Sequence, residues 1–358
     1  MTPPTSGVRP SRRQLLAGLS ALALAPALVA CADDSSSGSS AADEPAGSGT
    51  PTEEAAFPVT IAHKYGETTL EKAPTRVVCV GLTEQDALLA LGIVPVAVTK
   101  WFGDAPGYIF SWAVDKLGDA ELPEVLEDTN GVQVEKIAAL APDLIIGQYS
   151  GLTEKDYELL SKIAPTVAQP GEYADYGAPW DEMALNIGTA VGQPAEMQSI
   201  IDDVKQQIAD QAAAHPEFAG KSAMCVTPYE GLFVYGPEDP RSRMLTDLGF
   251  AFPTELFGGD QEEFGESLSA ERTSDLDQVG VTVWLDLESD QAVKKVFDQT
   301  TSAAEGRWFD ISSDDGDYYV AHSFVTPLSI PYVLERYVPQ LAAAVDADPS
   351  TVPPEAAA

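Results

Sequence analysis

The strongest constraint on the fold of this chain is a run near its middle, Ala195 to Ala214, in which Met197, Ile200, Ile201, Val204, Ile208 and Ala212 recur at spacings of three and four. That period gathers them on one face of an α-helix. Pro194 stands where a helix tolerates proline best, and His215-Pro216 ends the pattern. At about 1.5 Å per residue the rod is about 30 Å long, enough to cross from one domain to another while leaving only limited hinge motion.

On both sides of this helix, short β-branched runs alternate with helical periods. Arg76–Val80 ends at Gly81 and leads into a helix over Glu84–Gly92, with Thr83 as N-cap and Gly92 as C-cap, and then a strand over Val94–Val98. A helix at Val134–Leu140, a strand at Asp143–Ile146, a helix at Glu154–Ile163 and a strand at Thr166–Ala168 continue the pattern. It restarts at Ser222–Val226, with a hairpin-like Leu232–Gly236, a helix at Ser242–Leu248, another at Ala270–Gln278 and a strand at Val281–Leu285. The predicted class is α/β: two Rossmann-like lobes with mostly parallel sheets, joined by one long rigid α-helix. The expected limits are 57–194 and 216–346 for the lobes, 195–215 for the connector and 347–358 for a disordered tail. Roughly 290 ordered residues exceed one comfortable core, which also favours two domains.

The amino-terminal segment reads as an export signal. Arg9, Arg12 and Arg13 precede an apolar run from Leu15 to Ala30, and Leu28-Val29-Ala30-Cys31 closes it in the small-residue, cysteine-ended pattern of a bacterial lipobox. The run is short of the roughly 20 apolar residues a permanent span needs. Ser11-Arg12-Arg13-Gln14-Leu15-Leu16 resembles a twin-arginine signal, with general Sec export the other route. Cys31 is then the lipidation site and 31–56 a flexible tether, without a large apolar residue to offset the entropy of ordering. The predicted location is the extracytoplasmic face of the cell membrane, lipid-anchored, as a monomer. With 20 Lys+Arg against 56 Asp+Glu the chain has a net charge of −36, which excludes a nucleic-acid partner. Cys79 and Cys225 lie in apolar runs and read as buried thiols.

A search for reactive chemistry returns no Gly-x-Ser-x-Gly elbow, Walker loop, His-Glu-x-x-His or Cys-x-x-Cys. No catalytic residue and no metal ligand is assigned. His63, His215 and His322 are scattered, so a bare metal ion, needing three or four converging ligands, is the weaker reading beside a chelated one. A cell-surface enzyme on the same scaffold ranks lower for want of a nucleophile or metal set.

Four segments carry a resemblance to a known family: Lys72-Ala73-Pro74-Thr75-Arg76-Val77-Val78, Ala87-Leu88-Leu89-Ala90-Leu91-Gly92, Val134-Glu135-Lys136-Ile137-Ala138-Ala139-Leu140-Ala141-Pro142-Asp143-Leu144-Ile145-Ile146, and Pro327-Leu328-Ser329-Ile330-Pro331-Tyr332-Val333-Leu334. From about Phe57 to Val345 the chain resembles the periplasmic or lipid-anchored substrate-binding proteins of ABC importers for ferric siderophores and cobalamin. The resemblance implies capture of a ferric siderophore, or alternatively cobalamin, haem or a metal ion, in an inter-lobe cleft, with no resident cofactor. It also implies delivery to the permease subunits of an ABC transporter, docked through one acidic residue per lobe, Glu135 and Glu271.

Ligands of open α/β sheets bind beyond the carboxyl ends of the strands. Trp101 and Tyr149 follow two such strands in the first lobe, and Tyr229 follows one in the second. Arg241 and Arg243 open a helix and Arg307 stands beside Trp308; guanidinium forks would bind the oxygen shell of a chelate. The alternative for Trp101 is a cap on the lobe's core, and for the arginines a surface pairing with Asp239 or Asp247.

Overall fold

Where the sequence alternates β-branched runs with helical periods, the chain builds two five-stranded sheets. In the computed structural model, residues 57–127, 131–256 and 265–351 are described, so Cys31, the leader and the tether lie outside the described residues. A hairpin of β1 (Val59–His63) and β2 (Gly66–Leu70) comes first and was not anticipated. The first large sheet contains β3 (Val77–Cys79), β4 (Ala97–Thr99), β5 (Glu124–Leu126), β6 (Leu144–Ile146) and β7 (Thr166–Val167), in the order β5-β4-β3-β6-β7 with every pairing parallel. Strands β3, β4 and β6 are buried along their whole length, as parallel strands covered on both faces must be. In the Ala-Pro-Asp-Leu segment, the Asp143 carboxylate accepts the Thr75 N–H, the Thr75 hydroxyl and the Arg76 N–H, which ties the start of β6 to the start of β3.

The second sheet contains β8 (Ala223–Thr227), β9 (Leu232–Tyr235), β10 (Gly265–Leu268), β11 (Val281–Leu285) and β12 (Trp308–Ile311), in the order β10-β9-β8-β11-β12. Strands β8, β11 and β12 are parallel, while β9 and β10 run antiparallel. This sheet is therefore mixed, because the Pro228–Gly231 link is too short for a crossover and can only close a hairpin. Gly231 has φ +110°, and a Cβ there would lie 2.4 Å from the Leu268 carbonyl oxygen, so the turn accepts no side chain.

The helix Pro194–Ala214 lies between the two sheets in sequence and divides its apolar stripe between them. Met197 and Ile201 join the core of the first lobe with Ile187 and Val191. Val204 and Ile208 join that of the second with Phe218 and Leu341. Neither lobe can shed the helix without exposing part of its own core. The helix expected over Ala270–Gln278 is present with those limits as a 3-10 helix, and the closing helix runs Ser329–Val345. Residues 347–351, expected within the tail, form a turn held by the Thr351 N–H on the Asp348 carbonyl. Cys79 and Cys225 are free, buried thiols. Among the described residues no helix is long and apolar enough to cross a membrane.

Candidate functional site

Strand order sets β4, β3 and β6 side by side, so the segments leaving their carboxyl ends form one wall. They carry Trp101, Gly81–Glu84 and Tyr149. Glu84 is fully buried beneath them; its carboxylate accepts the Tyr149 N–H at 2.8 Å and the Thr83 N–H at 3.2 Å. Thr83 occupies the expected N-cap position, but its side chain makes no cap bond. A Cβ at Gly81 would lie 2.0 Å from Glu84 Oε1, so a side chain there would displace the Glu84 carboxylate. Burial pushes the Glu84 carboxyl up to about 7 against these donors. Asp86 is likewise buried and pushed up to about 6, with Trp112 Nε1 and the Thr326 hydroxyl donating to one oxygen at 2.7 and 2.6 Å.

The facing wall belongs to the second lobe. Asp239 caps the helix Pro240–Asp247 by accepting the Arg241 N–H, and its two oxygens hold Arg241 Nη1 at 3.0 and 2.9 Å. Both residues are buried, at 0% and 5% exposure. Burial alone would lower the Arg241 pKa, but the Asp239 charge outweighs it and holds the guanidinium protonated. The guanidinium lies 4.1 Å from the Tyr235 ring centre and 5.8 Å from that of Phe324. Phe324, just past the helix Asp317–Ser323, reaches the first lobe: its ring is edge-on to Trp101 at 4.7 Å, stacked on Phe102 at 5.2 Å and edge-on to Tyr149 at 6.2 Å. At the end of β11, Asp286 accepts the Ser313 N–H at 2.6 Å, and burial, helped by the Asp286 charge, raises the Tyr319 hydroxyl pKa.

Further bonds tie the walls together. Thr326 reaches Asp86, the Ser111 N–H donates to Asp317 at 2.9 Å, and Arg243 Nη1 donates to the Gly177 carbonyl at 2.5 Å. The chain therefore presents an aromatic surface around one buried, paired arginine, a form suited to holding a large, partly flat solute by stacking and a few directed hydrogen bonds.

Trp101, Tyr149 and Arg241 are brought into this one group. The surface pairing of an arginine with Asp239 is instead a buried one. Tyr229 is 61% exposed and its ring meets Phe233 edge-on at 6.4 Å, outside this group. Arg243 turns to the joint, lying 5.6 Å from the Tyr173 ring and lining a cavity of about 350 Å³ with Trp180, Lys205 and Asp247. Arg307 is not brought to the cleft: it precedes β12, at the opposite end of the sheet, and binds the Val279 and Asp277 carbonyls and the Glu305 carboxylate. Its role there is local, because a guanidinium so committed holds two segments together. Glu135 and Glu271 are exposed.

Sequence reasoning missed Phe324, Tyr235, Tyr319 and Glu84. Asp239-Pro240 was legible as a cap followed by a first-turn proline. Phe324 carries no such signal, since it follows a helix and not a strand. His322 is buried against Tyr337 at 4.7 Å, and burial followed by the Arg241 charge lowers it to about 3, so it is neutral. Among the described residues no three His, Cys, Asp or Glu side chains gather as a metal ion would require.

A family model described as periplasmic binding protein matches residues 77–305, from β3 to just before β12. The chain belongs to the periplasmic binding protein family. Among family relatives, the Fe(3+) dicitrate-binding periplasmic protein FecB of Escherichia coli (strain K12) is 29% identical over 220 residues, covering 59% of this chain and 67% of that one. The chain spans 65–67% of the length of the curated relatives it matches. A periplasmic solute binding protein from Mycobacterium smegmatis str. MC2 155 superimposes with a TM-score of 0.69 at 35% identity, over 80% of this chain and 99% of that one. PiaA of Streptococcus pneumoniae TIGR4 in complex with ferrichrome gives 0.65 at 28% identity, over 81% and 99%.

Proposed function

We infer that this protein is an extracytoplasmic solute-binding lipoprotein that captures a ferric siderophore between its lobes and delivers it to the permease of an ABC importer. The observation that carries the reading is the meeting of Trp101, Phe102, Tyr149 and Phe324 beside the Asp239–Arg241 pair, at the carboxyl ends of the first lobe's strands. The family supports it, as do two relatives, one named for Fe(3+) dicitrate and one crystallised with ferrichrome. We take 57–194 and 216–346 as the ligand-binding lobes and 195–215 as the connector. Cys31 is the proposed lipid anchor, supported by the lipobox pattern.

Glu135 and Glu271 are the proposed permease contacts. Supporting them is their shared topology: each opens the helical segment directly before β6 or β11, the parallel neighbour of its lobe's first sheet strand. Tyr229 and Arg243 are proposed to meet the ligand from the rim and the joint.

The deciding experiment is titration of the purified protein with ferric siderophores. Quenching of tryptophan fluorescence and a raised melting temperature are expected, worth about 2.7 kcal/mol at a hundredfold excess over Kd. A response to cobalamin, haem, zinc or manganese instead would reassign the ligand. Cys31→Ala should release the protein from the membrane fraction. Glu135→Ala with Glu271→Ala should abolish uptake and leave ligand affinity unchanged.

A further inference from the structure

The charge inventory of the cleft narrows the ligand class, on the siderophore reading above. Every Lys and Arg outside the leader lies among the described residues. Arg241, the central one, already has both Asp239 oxygens on it at 3.0 and 2.9 Å. Arg243 has Glu238 at 4.0 Å, and Lys100, next to Trp101, has Glu127 at 3.4 Å. In contrast, the Asp286 carboxylate accepts a neutral donor, the Ser313 N–H at 2.6 Å, with no cation in ion-pair range among the described residues.

We propose that the cleft takes a ferric complex of zero or positive net charge, a tris-hydroxamate, and discriminates against trianionic tris-catecholate and polycarboxylate complexes. Three hydroxamates each surrender one proton and together neutralise Fe(III), whereas three catecholates surrender six and leave a trianion. Bringing a trianion against an arginine whose charge is already matched buries charge without compensation, the costliest event in a desolvated site. A neutral shell needs only hydrogen-bond donors and flat apolar walls. Arg241 Nε is without a partner, so the pair can donate without surplus charge, and the aromatic rings supply the walls. A pendant ammonium would find in Asp286 a carboxylate with no cation of its own among the described residues. The field of a chain with net charge −36 acts in the same direction, repelling anions and drawing cations in.

The test is parallel titration of the full protein with four probes: ferrichrome, ferrioxamine B with its pendant ammonium, a ferric tris-catecholate and Fe(3+) dicitrate. Both hydroxamates should bind at least about tenfold more tightly than either anionic complex. Preference for the tris-catecholate or the citrate complex overturns the charge assignment and leaves the siderophore reading standing. Silence towards all four overturns the siderophore reading and the proposal with it. Asp239→Asn, which frees the Arg241 charge, should move the preference towards the anionic complexes by about tenfold. Asp286→Asn, which spares the helix cap, should weaken ferrioxamine B relative to ferrichrome; an unchanged ratio removes Asp286 from the site.

Discussion

The two walls of the cleft both bury carboxylates, and they do so by different means. In the first lobe Glu84 and Asp86 sit under the strand ends with only neutral donors around them, so burial pushes their carboxyls up to about 7 and about 6. In the second lobe burial also raises the Asp239 carboxyl, but there a guanidinium and its hydrogen bonds pull against that rise. The first arrangement stores a proton-dependent cost, while the second is stable only as long as both partners remain. Burial alone therefore does not say what a carboxylate contributes; its partner does.

The sharpest way to break this comparison is to remove one partner of the pair. Arg241→Ala strands a buried carboxylate and should cost about 3–5 kcal/mol, read from urea unfolding. Glu84→Gln at pH 8 should cost little or add stability, because it deletes a desolvated charge with no cation to strand. Equal losses from the two changes would erase the distinction.

Next in size is the pH dependence. A group whose folded pKa is raised contributes stability that is fully present below its unfolded value and lost as pH rises through the folded one. For Glu84 that window runs from its ordinary 4.5 to about 7, and for Asp86 from 3.8 to about 6. At about 1.4 kcal/mol per pKa unit, Glu84 alone contributes on the order of 3 kcal/mol across its window. The melting temperature should climb as pH falls from 8 to 5, and Glu84→Gln should flatten that slope. A slope unchanged in the variant would place the titrating group elsewhere.

A smaller effect is expected where the walls are tied. Thr326→Val removes the hydroxyl that donates to Asp86 and accepts the Ser329 N–H, at about 1–3 kcal/mol by denaturant unfolding. The smallest belongs to Tyr229→Ala, whose exposed ring should leave stability within about 0.5 kcal/mol, so any change in ligand affinity there reports contact and not folding.

Much of the fold was legible because it rests on local periodicity. The three-and-four spacing of Met197, Ile201, Val204 and Ile208 marked the connecting helix, and the β-branched run Val281–Leu285 became β11 with the same limits. The mixed second sheet was less legible: β10 and β12 were absent from the reading, since short half-buried strands show little pattern of their own. In the site, Trp101, Tyr149 and Arg241 stood out through position at strand ends or a helix start. Phe324 and Glu84 did not. Glu84 looked like an ordinary first-turn glutamate, and only the close approach of Gly81 and the Tyr149 N–H makes it a buried one.

The sequence by itself determined that this chain is an acidic α/β protein with a long helix between two repeated patterns, because apolar period and turn chemistry act over a few residues at a time. Only the tertiary structure decided which side chains share the cleft and which charges are already matched. Asp86 meets Thr326 across 240 residues of chain, and Arg241 counts as neutralised only because Asp239 is folded beneath it. Such pairings depend on desolvation, which belongs to the packed molecule and to no single stretch of its sequence.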